Sequence, residues 1–217
     1  MIKPHLLYLV LALPFLASLA AAFLPSVTRN LASSLAGVVT LLAIGALLSF
    51  YPAVSLGDVV RIDQPWLPSL GLDLVLRLDG FTWLFALLVL AIGALVVLYA
   101  RYYMSPDDPV PRFFSFLMAF MGSMLGIVLS GNLIQTIFFW ELTSLFSFLL
   151  IGYWHHNQGA RDGARMALIV TATGGVCLLL GFLLIGHIAG SYDLDVVLSS
   201  GGLIRAHPLY LPALVLV

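Results

Sequence analysis

Residues 133–153 read LIQTIFFWELTSLFSFLLIGY. The run has no proline, and its only glycine is Gly152. As one helix it is long enough to cross the roughly 30 Å hydrocarbon core of a bilayer. One member does not fit. Glu141 lies nine residues past Asn132, which is about 13 Å along a helix and therefore near mid-bilayer. An ionised carboxylate at that depth costs on the order of 2.5–3.5 kcal/mol. The group must either face a bundle interior with a partner or take up a proton, and these two conditions are also the two states of a proton relay. The plainer alternative is a buried carboxylic acid that hydrogen-bonds a neighbouring helix and does nothing else, although Gln would fill that role more cheaply.

The same composition extends on both sides of this run. Of 217 residues, 62% are hydrophobic and 9% charged, against about a quarter charged in a soluble domain. Too little polar side chain remains for the surface of a soluble enzyme, a nucleic-acid binder or a disordered chain. There are nine Lys plus Arg and ten Asp plus Glu, and Glu141 is the only glutamate. A single cysteine, Cys177, excludes an internal disulfide framework and a cysteine-rich metal site.

Further apolar runs predict helices over residues 6–24, 31–50, 81–100, 113–130 and 164–188. Pro111 stands where a first-turn proline is tolerated. Another run starts at Pro208 and reaches Val217, so the chain reads as breaking off within it. The expected architecture is an all-α membrane protein with six transmembrane helices and the start of a seventh. For the first run a cleaved signal peptide competes, with Lys3 as the basic start and Ala20-Ala21-Ala22 as the small-residue site. The length of the run and its lone basic residue favour a retained helix.

The longest polar interval, residues 51–79, holds VVRID at 59–63 and LDLVLRL at 72–78, divided by Pro65 and Pro68. Leu72, Leu74, Leu76 and Leu78 alternate with Asp73, Arg77 and Asp79. This period of two predicts a short hairpin on the membrane surface between helices 2 and 3, with an ordinary ordered loop as the alternative. Arg29, Arg101, Arg112, Arg161 and Arg165 fall on one side of the membrane, and Lys3, Arg61, Arg77 and Arg205 on the other. That narrow margin favours an outside N-terminus.

Around Glu141, Thr136, Trp140, Thr143 and Ser147 recur at three- and four-residue steps, and Ser144 lies one turn away. Such hydroxyls favour close helix packing and can hold water; packing without a water path is the alternative. Arg165, near a membrane boundary, either snorkels to the headgroups or tunes a nearby acid. His187 either relays protons or sits at the interface. Asp79 is placed as an N-cap, with a direct part in transport as its other reading. Gly174-Gly175 permits close helix approach or a kink, and His155-His156 read as interfacial residues rather than metal ligands. No GxGxxG, Walker loop or Cys/His ligand pattern occurs, so no cofactor and no metal is expected. Any ion movement must draw on a gradient or a partner.

Residues 139–154 (FWELTSLFSFLLIGYW), supported by 99–104 (YARYYM), 112–114 (RFF) and 122–132, resemble the fifth helix and its surroundings in the large, A-type component of multisubunit Na+/H+ antiporters of the Mrp type, also called Mnh or Pha. The L component of the proton-pumping NADH:quinone oxidoreductase shares the architecture, but it usually has glycine soon after the Trp-Glu pair, where this chain has Thr143-Ser144. The resemblance implies an antiporter-like inverted-repeat bundle. Residues 1–110 would hold helices 1–3 with an extramembrane loop over about 51–79, and residues 111–217 would open the proton-translocating repeat. It further implies Glu141 as the proton carrier, working with a lysine on the following broken helix, beyond Val217; Lys3 cannot substitute. The implied partners are other membrane subunits, H+ and Na+ (with K+ or Li+ as alternatives) and the lipid bilayer of the cell (inner) membrane, without nucleic acid. A membrane-arm subunit of a redox-driven proton pump and a non-transporting scaffold are the competing readings.

Overall fold

A computed structural model describes residues 5–25, 28–67, 72–105 and 108–217; Lys3 and Pro68 lie outside them. In chain order the elements are α1 (Leu6–Ala22), α2 (Arg29–Leu48), α3 (Tyr51–Ser55), β1 (Val60–Leu67), β2 (Leu72–Leu78), α4 (Gly80–Tyr103), α5 (Val110–Leu129), α6 (Leu133–Ile151), α7 (Gln158–Ala189), α8 (Leu194–Ser199), α9 (Gly201–Ala206) and α10 (Tyr210–Leu216). Helices α4 to α7, together with the α2–α3 segment Arg29–Ser55, are long and apolar enough to span a membrane; α1 is shorter, at 17 residues.

Short polar side chains start three of the long helices, α4, α6 and α7. The Asp79 carboxylate accepts from the Thr82 N–H at 2.8 Å to cap α4, Asn132 Oδ1 accepts from the Ile134 N–H at 2.9 Å to cap α6, and Asn157 Oδ1 accepts from the Gly159 N–H at 2.8 Å to cap α7. Each satisfies a first-turn donor that has no partner within its own helix. The cap at Asn157 explains a departure from the expected bounds. Helix α7 begins at Gln158 rather than near residue 164, because its first turn is polar and invisible to a search for apolar runs. Its 32 residues extend about 48 Å and end at Gly190, whose φ of +72° forms a left-handed C-cap. Pro52, expected to stop a helix, instead sits in the first turn of α3, where its missing N–H removes no helical bond.

Helix α5 is the hub, in contact with α1, α2, α4 and α6; α6 packs between α5 and α7, and α10 packs on α7. Helix α5 carries two small residues four apart, Gly122 and Gly126. The ring of Phe15 from α1 covers the first, and that of Phe139 from α6 covers the second so closely that a Cβ would lie 2.2 Å from the ring. Small residues at this spacing let backbones and rings approach where no water is available to drive association. Phe50, Phe114, Met118 and Leu125 are fully buried around this hub. Outward faces carry Leu41, Leu95, Ile169 and Val176, all exposed, and an apolar surface of this extent requires lipid or a partner.

Strands β1 and β2 pair antiparallel, with Val60 opposite Leu78 and Ile62 opposite Leu76; the register shifts between Pro65 and Leu67, where proline cannot donate to the ladder. Backbone bonds stitch β2 to two turns. The Gly131 N–H donates to Val75 O, the Leu194 N–H to Gly131 O and the Leu133 N–H to Tyr192 O, each at 2.9 Å. Gly131 allows this approach, since a Cβ there would sit 2.5 Å from Val75 Cγ1.

Candidate proton site where α6 meets α7

Glu141 stands in the middle of α6, and its carboxylate lies over Gly175, in the middle of α7. A Cβ built on Gly175 would fall 1.8 Å from Glu141 Oε1 and 3.0 Å from Cδ. Gly174, its neighbour, faces open space, with nothing within 4 Å. Of the two roles open to the glycine pair, close approach therefore describes Gly175. The ion pairs among the described residues all lie elsewhere, on Arg61, Arg77 and Arg165. The Glu141 side chain is otherwise exposed, so a partner or water can reach it from the open side of the α6–α7 contact.

The hydroxyls around Glu141 are engaged with their own helix. Thr143 Oγ1 donates to Trp140 O at 2.7 Å, and Ser144 Oγ donates to the same carbonyl at 3.3 Å. Both residues are buried. Thr136 Oγ1 donates in the same way to Asn132 O at 3.1 Å. Back-bonding of this kind satisfies the hydroxyl donor and bends the helix slightly, while each oxygen keeps its capacity to accept. The Trp140 side chain is 40% exposed and points away from the core.

The remaining expected residues lie far from the carboxylate. Arg165 is ten residues before Gly175 on α7, about 15 Å away along the axis; it is exposed and sits 3.9 Å from Asp162. His187 is twelve residues beyond Gly175, about 18 Å, in the last turn of α7, where a cation is favoured by the helix dipole. Asp79 caps α4 and pairs with Arg77. Burial pushes its carboxyl up, but the Thr82 N–H and the Arg77 guanidinium outweigh this and hold it below the usual carboxylate range. His155 and His156 meet edge to face, with ring centroids 6.0 Å apart, and no cluster able to hold a metal ion occurs among the described residues.

One polar assembly has no counterpart among the sequence-based expectations. Arg61 of β1 pairs with Asp63, Asp193 and Asp195, and Arg77 of β2 pairs with Asp79 and with Asp195 at 2.8 Å. The Arg61 guanidinium holds the Asp193 carboxyl below its ordinary value. Arg61-x-Asp63 and Asp193-x-Asp195 share an i, i+2 spacing, the one local signal that they present their charges together. Nothing local says that segments more than 130 residues apart meet.

Long apolar helices packed around α5, with the Glu141 carboxylate over Gly175 where α6 meets α7, have the architecture of a membrane-embedded helical bundle. Residues 66–114 match the family described as NADH-ubiquinone oxidoreductase (complex I), chain 5 N-terminus, and residues 130–211 match NADH:quinone oxidoreductase/Mrp antiporter, TM. Over 212 residues the chain is 57% identical to the A/B component of a probable K(+)/H(+) antiporter of Rhizobium meliloti (strain 1021), a match covering 98% of this chain and 21% of that protein. It is 41% identical over 171 residues to the A component of the Na(+)/H(+) antiporter of Alkalihalophilus pseudofirmus, covering 78% of this chain and 21% of that one. The fold superposes on a chain of the Mrp complex from Dietzia sp. DQ12-45-1b with a TM-score of 0.82 and 28% identity, covering 97% of this chain and 22% of that chain. The chain belongs to the family of large, A-type components of Mrp antiporters and is a multi-pass membrane protein. It spans about a fifth of the length of the curated relatives it matches.

Proposed function

We propose that this chain forms the proton-carrying portion of a monovalent cation/H+ antiporter subunit in the cell membrane, with Glu141 as the carrier. The observation that carries the proposal is the seat of the Glu141 carboxylate on Gly175. A neutral, protonated carboxyl can rest there against the α7 backbone, whereas an ionised one needs a cation brought to it. Thr143 and Ser144, with acceptor capacity left over, support a hydrated approach to the carboxylate from its open side, where Trp140 precedes it on α6. Arg165, His187 and Asp79 act at the ends of the path rather than at Glu141.

In this reading α1 is the sixth span, since 17 residues is at the lower limit for crossing. The β1–β2 hairpin lies on the membrane surface, and the repeat opens with α5, dividing the chain into residues 1–110 and 111–217. The exposed apolar faces of α4 and α7 are covered by partner subunits or lipid. Potassium is the first ion to test and sodium the second, because the 57% identical relative is named for K+ and the 41% identical one for Na+. The redox-pump reading is less favoured, since both of these relatives are named as antiporter components.

The test is Glu141→Gln in the full-length complex, with K+- and Na+-dependent pH changes followed in inverted vesicles. Exchange should fall to background, while Glu141→Asp, which keeps a titratable group at shorter reach, should retain part of it. Undiminished exchange in the Gln variant would falsify the assignment.

A further inference from the structure

A second polar site lies at the end of the bundle where α5 and α7 begin and α6 ends. A cavity of about 350 Å3 opens there, its rim carrying Arg112, Tyr153, His155, Arg161 and Arg165. One turn deeper its wall is apolar, formed by Phe116, Phe148 and Leu149. We infer that this cavity binds a phosphate group, presented by an anionic lipid headgroup or as free phosphate.

Two buried donors at the rim have no partner. Tyr153 is 4% exposed, and its phenolic oxygen makes no hydrogen bond. Arg112 Nε is equally buried and equally unpaired, although the same guanidinium donates to Tyr153 O at 3.1 Å and lies 5.2 Å from the Tyr153 ring centroid. A donor buried without a protein partner calls for an explanation, a bound water or ion among them. Burial pushes the Tyr153 phenol up to about 12, so it stays an O–H donor at neutral pH.

The surrounding charge has the matching sign. Arg161 spends one donor on His155 O at 3.4 Å, and Arg165 lies 3.9 Å from Asp162. Among the described residues the other acid nearby is Asp108, which accepts from Trp154 Nε1 at 3.3 Å. Three guanidinium groups therefore face the cavity with most of their donors uncommitted, and guanidinium forks fit phosphate oxygens. The cationic rim over an apolar floor has the layering of a headgroup above its acyl chains, as in basic pockets between transmembrane helices. The inference does not depend on Glu141.

The experiment uses the assembled complex in vesicles of phosphatidylcholine doped with a photoactivatable phosphatidylglycerol, and labelling of the peptide spanning residues 148–165 is measured. Wild type should label there. The double variant Arg161→Gln/Arg165→Gln, which alters only exposed side chains, should bind about thirtyfold more weakly, and a phosphate-free diacylglycerol probe should not label. Tyr153→Phe, which keeps the ring and its packing, should reduce labelling severalfold. Excess inorganic phosphate separates the sources: labelling that survives it assigns a lipid, and labelling erased by it assigns free phosphate. Equal labelling of wild type and the double variant, or equal labelling by the phosphate-free probe, overturns the inference.

Discussion

The carboxylate of Glu141 rests where Gly175 has no side chain, which makes this glycine as specific a feature of the site as the acid. Gly175→Ala would place a methyl group on the Oε1 position. The obstructing atom is the tip of a flexible side chain, so the helix tolerates the change; Ala is intrinsically better in a helix than Gly by about 1 kcal/mol. The variant should therefore assemble normally but exchange cations poorly. Gly174→Ala, which faces open space, should leave exchange unchanged. Exchange rates in vesicles, normalised to the amount of complex, compare the two, and equal activity would dissociate Gly175 from proton carriage. Glu141 stands out in the sequence as a candidate because one acid in an apolar run has no cheap location. Which of the two adjacent glycines receives it was not legible, because that depends on the rotation of α7 about its axis relative to α6, a property of tertiary packing.

Among the elements, the α5–α6 contact illustrates what periodicity reveals and what it hides. The apolar runs placed both helices correctly to within a few residues, since about 20 apolar residues have few other uses. The polar first turn of α7 escaped, because a cap at Asn157 and not hydrophobicity starts that helix. The partner face of α5 also escaped, because Gly122 and Gly126 become meaningful only when the rings of Phe15 and Phe139 are seen over them. Those rings are stiff and packed near one another, with centroids 6.5 Å apart, so they have less room to yield than a carboxylate tip. Gly126→Ala should accordingly destabilise the bundle by about 1–3 kcal/mol, the usual cost of overpacking. Gly45→Ala in α2, where nothing lies within 4 Å, should be neutral or mildly stabilising. Thermal unfolding in detergent distinguishes the two, and an unaltered midpoint for Gly126→Ala would argue against a tightly packed α5–α6 seam.

Across the whole molecule, the hairpin before α4 and the turn after α7 are held together by Arg61, Arg77 and four aspartates, so the run from α4 to α7 is closed at one end. The alternating leucines of residues 72–78 foretold the strand, but no local pattern could foretell its ionic closure with residues 193–195, which is a consequence of topology. These groups are partly exposed, and single surface pairs contribute about 0–1 kcal/mol, so the closure acts as a network fastened to the backbone bonds at Gly131 rather than through one strong pair. Its pH dependence has a definite sign. Arg61 lowers the Asp193 carboxyl in the folded chain, and Arg77 with the Thr82 N–H lowers that of Asp79. Their contribution is therefore complete above the unfolded carboxylate value of about 3.9, and it is lost as pH falls through the lower folded values. The hairpin should keep full protection at pH 7 and lose it only in strong acid. Asp193→Asn, which removes one of the charges facing Arg61 while keeping an oxygen to cap α8, should loosen the hairpin already at pH 7. Hydrogen exchange at the amides of Ile62 and Leu76 reports this directly, since both belong to the paired strands. Protection indifferent to both acid and the substitution would mean that the backbone bonds at Gly131 alone hold the closed end.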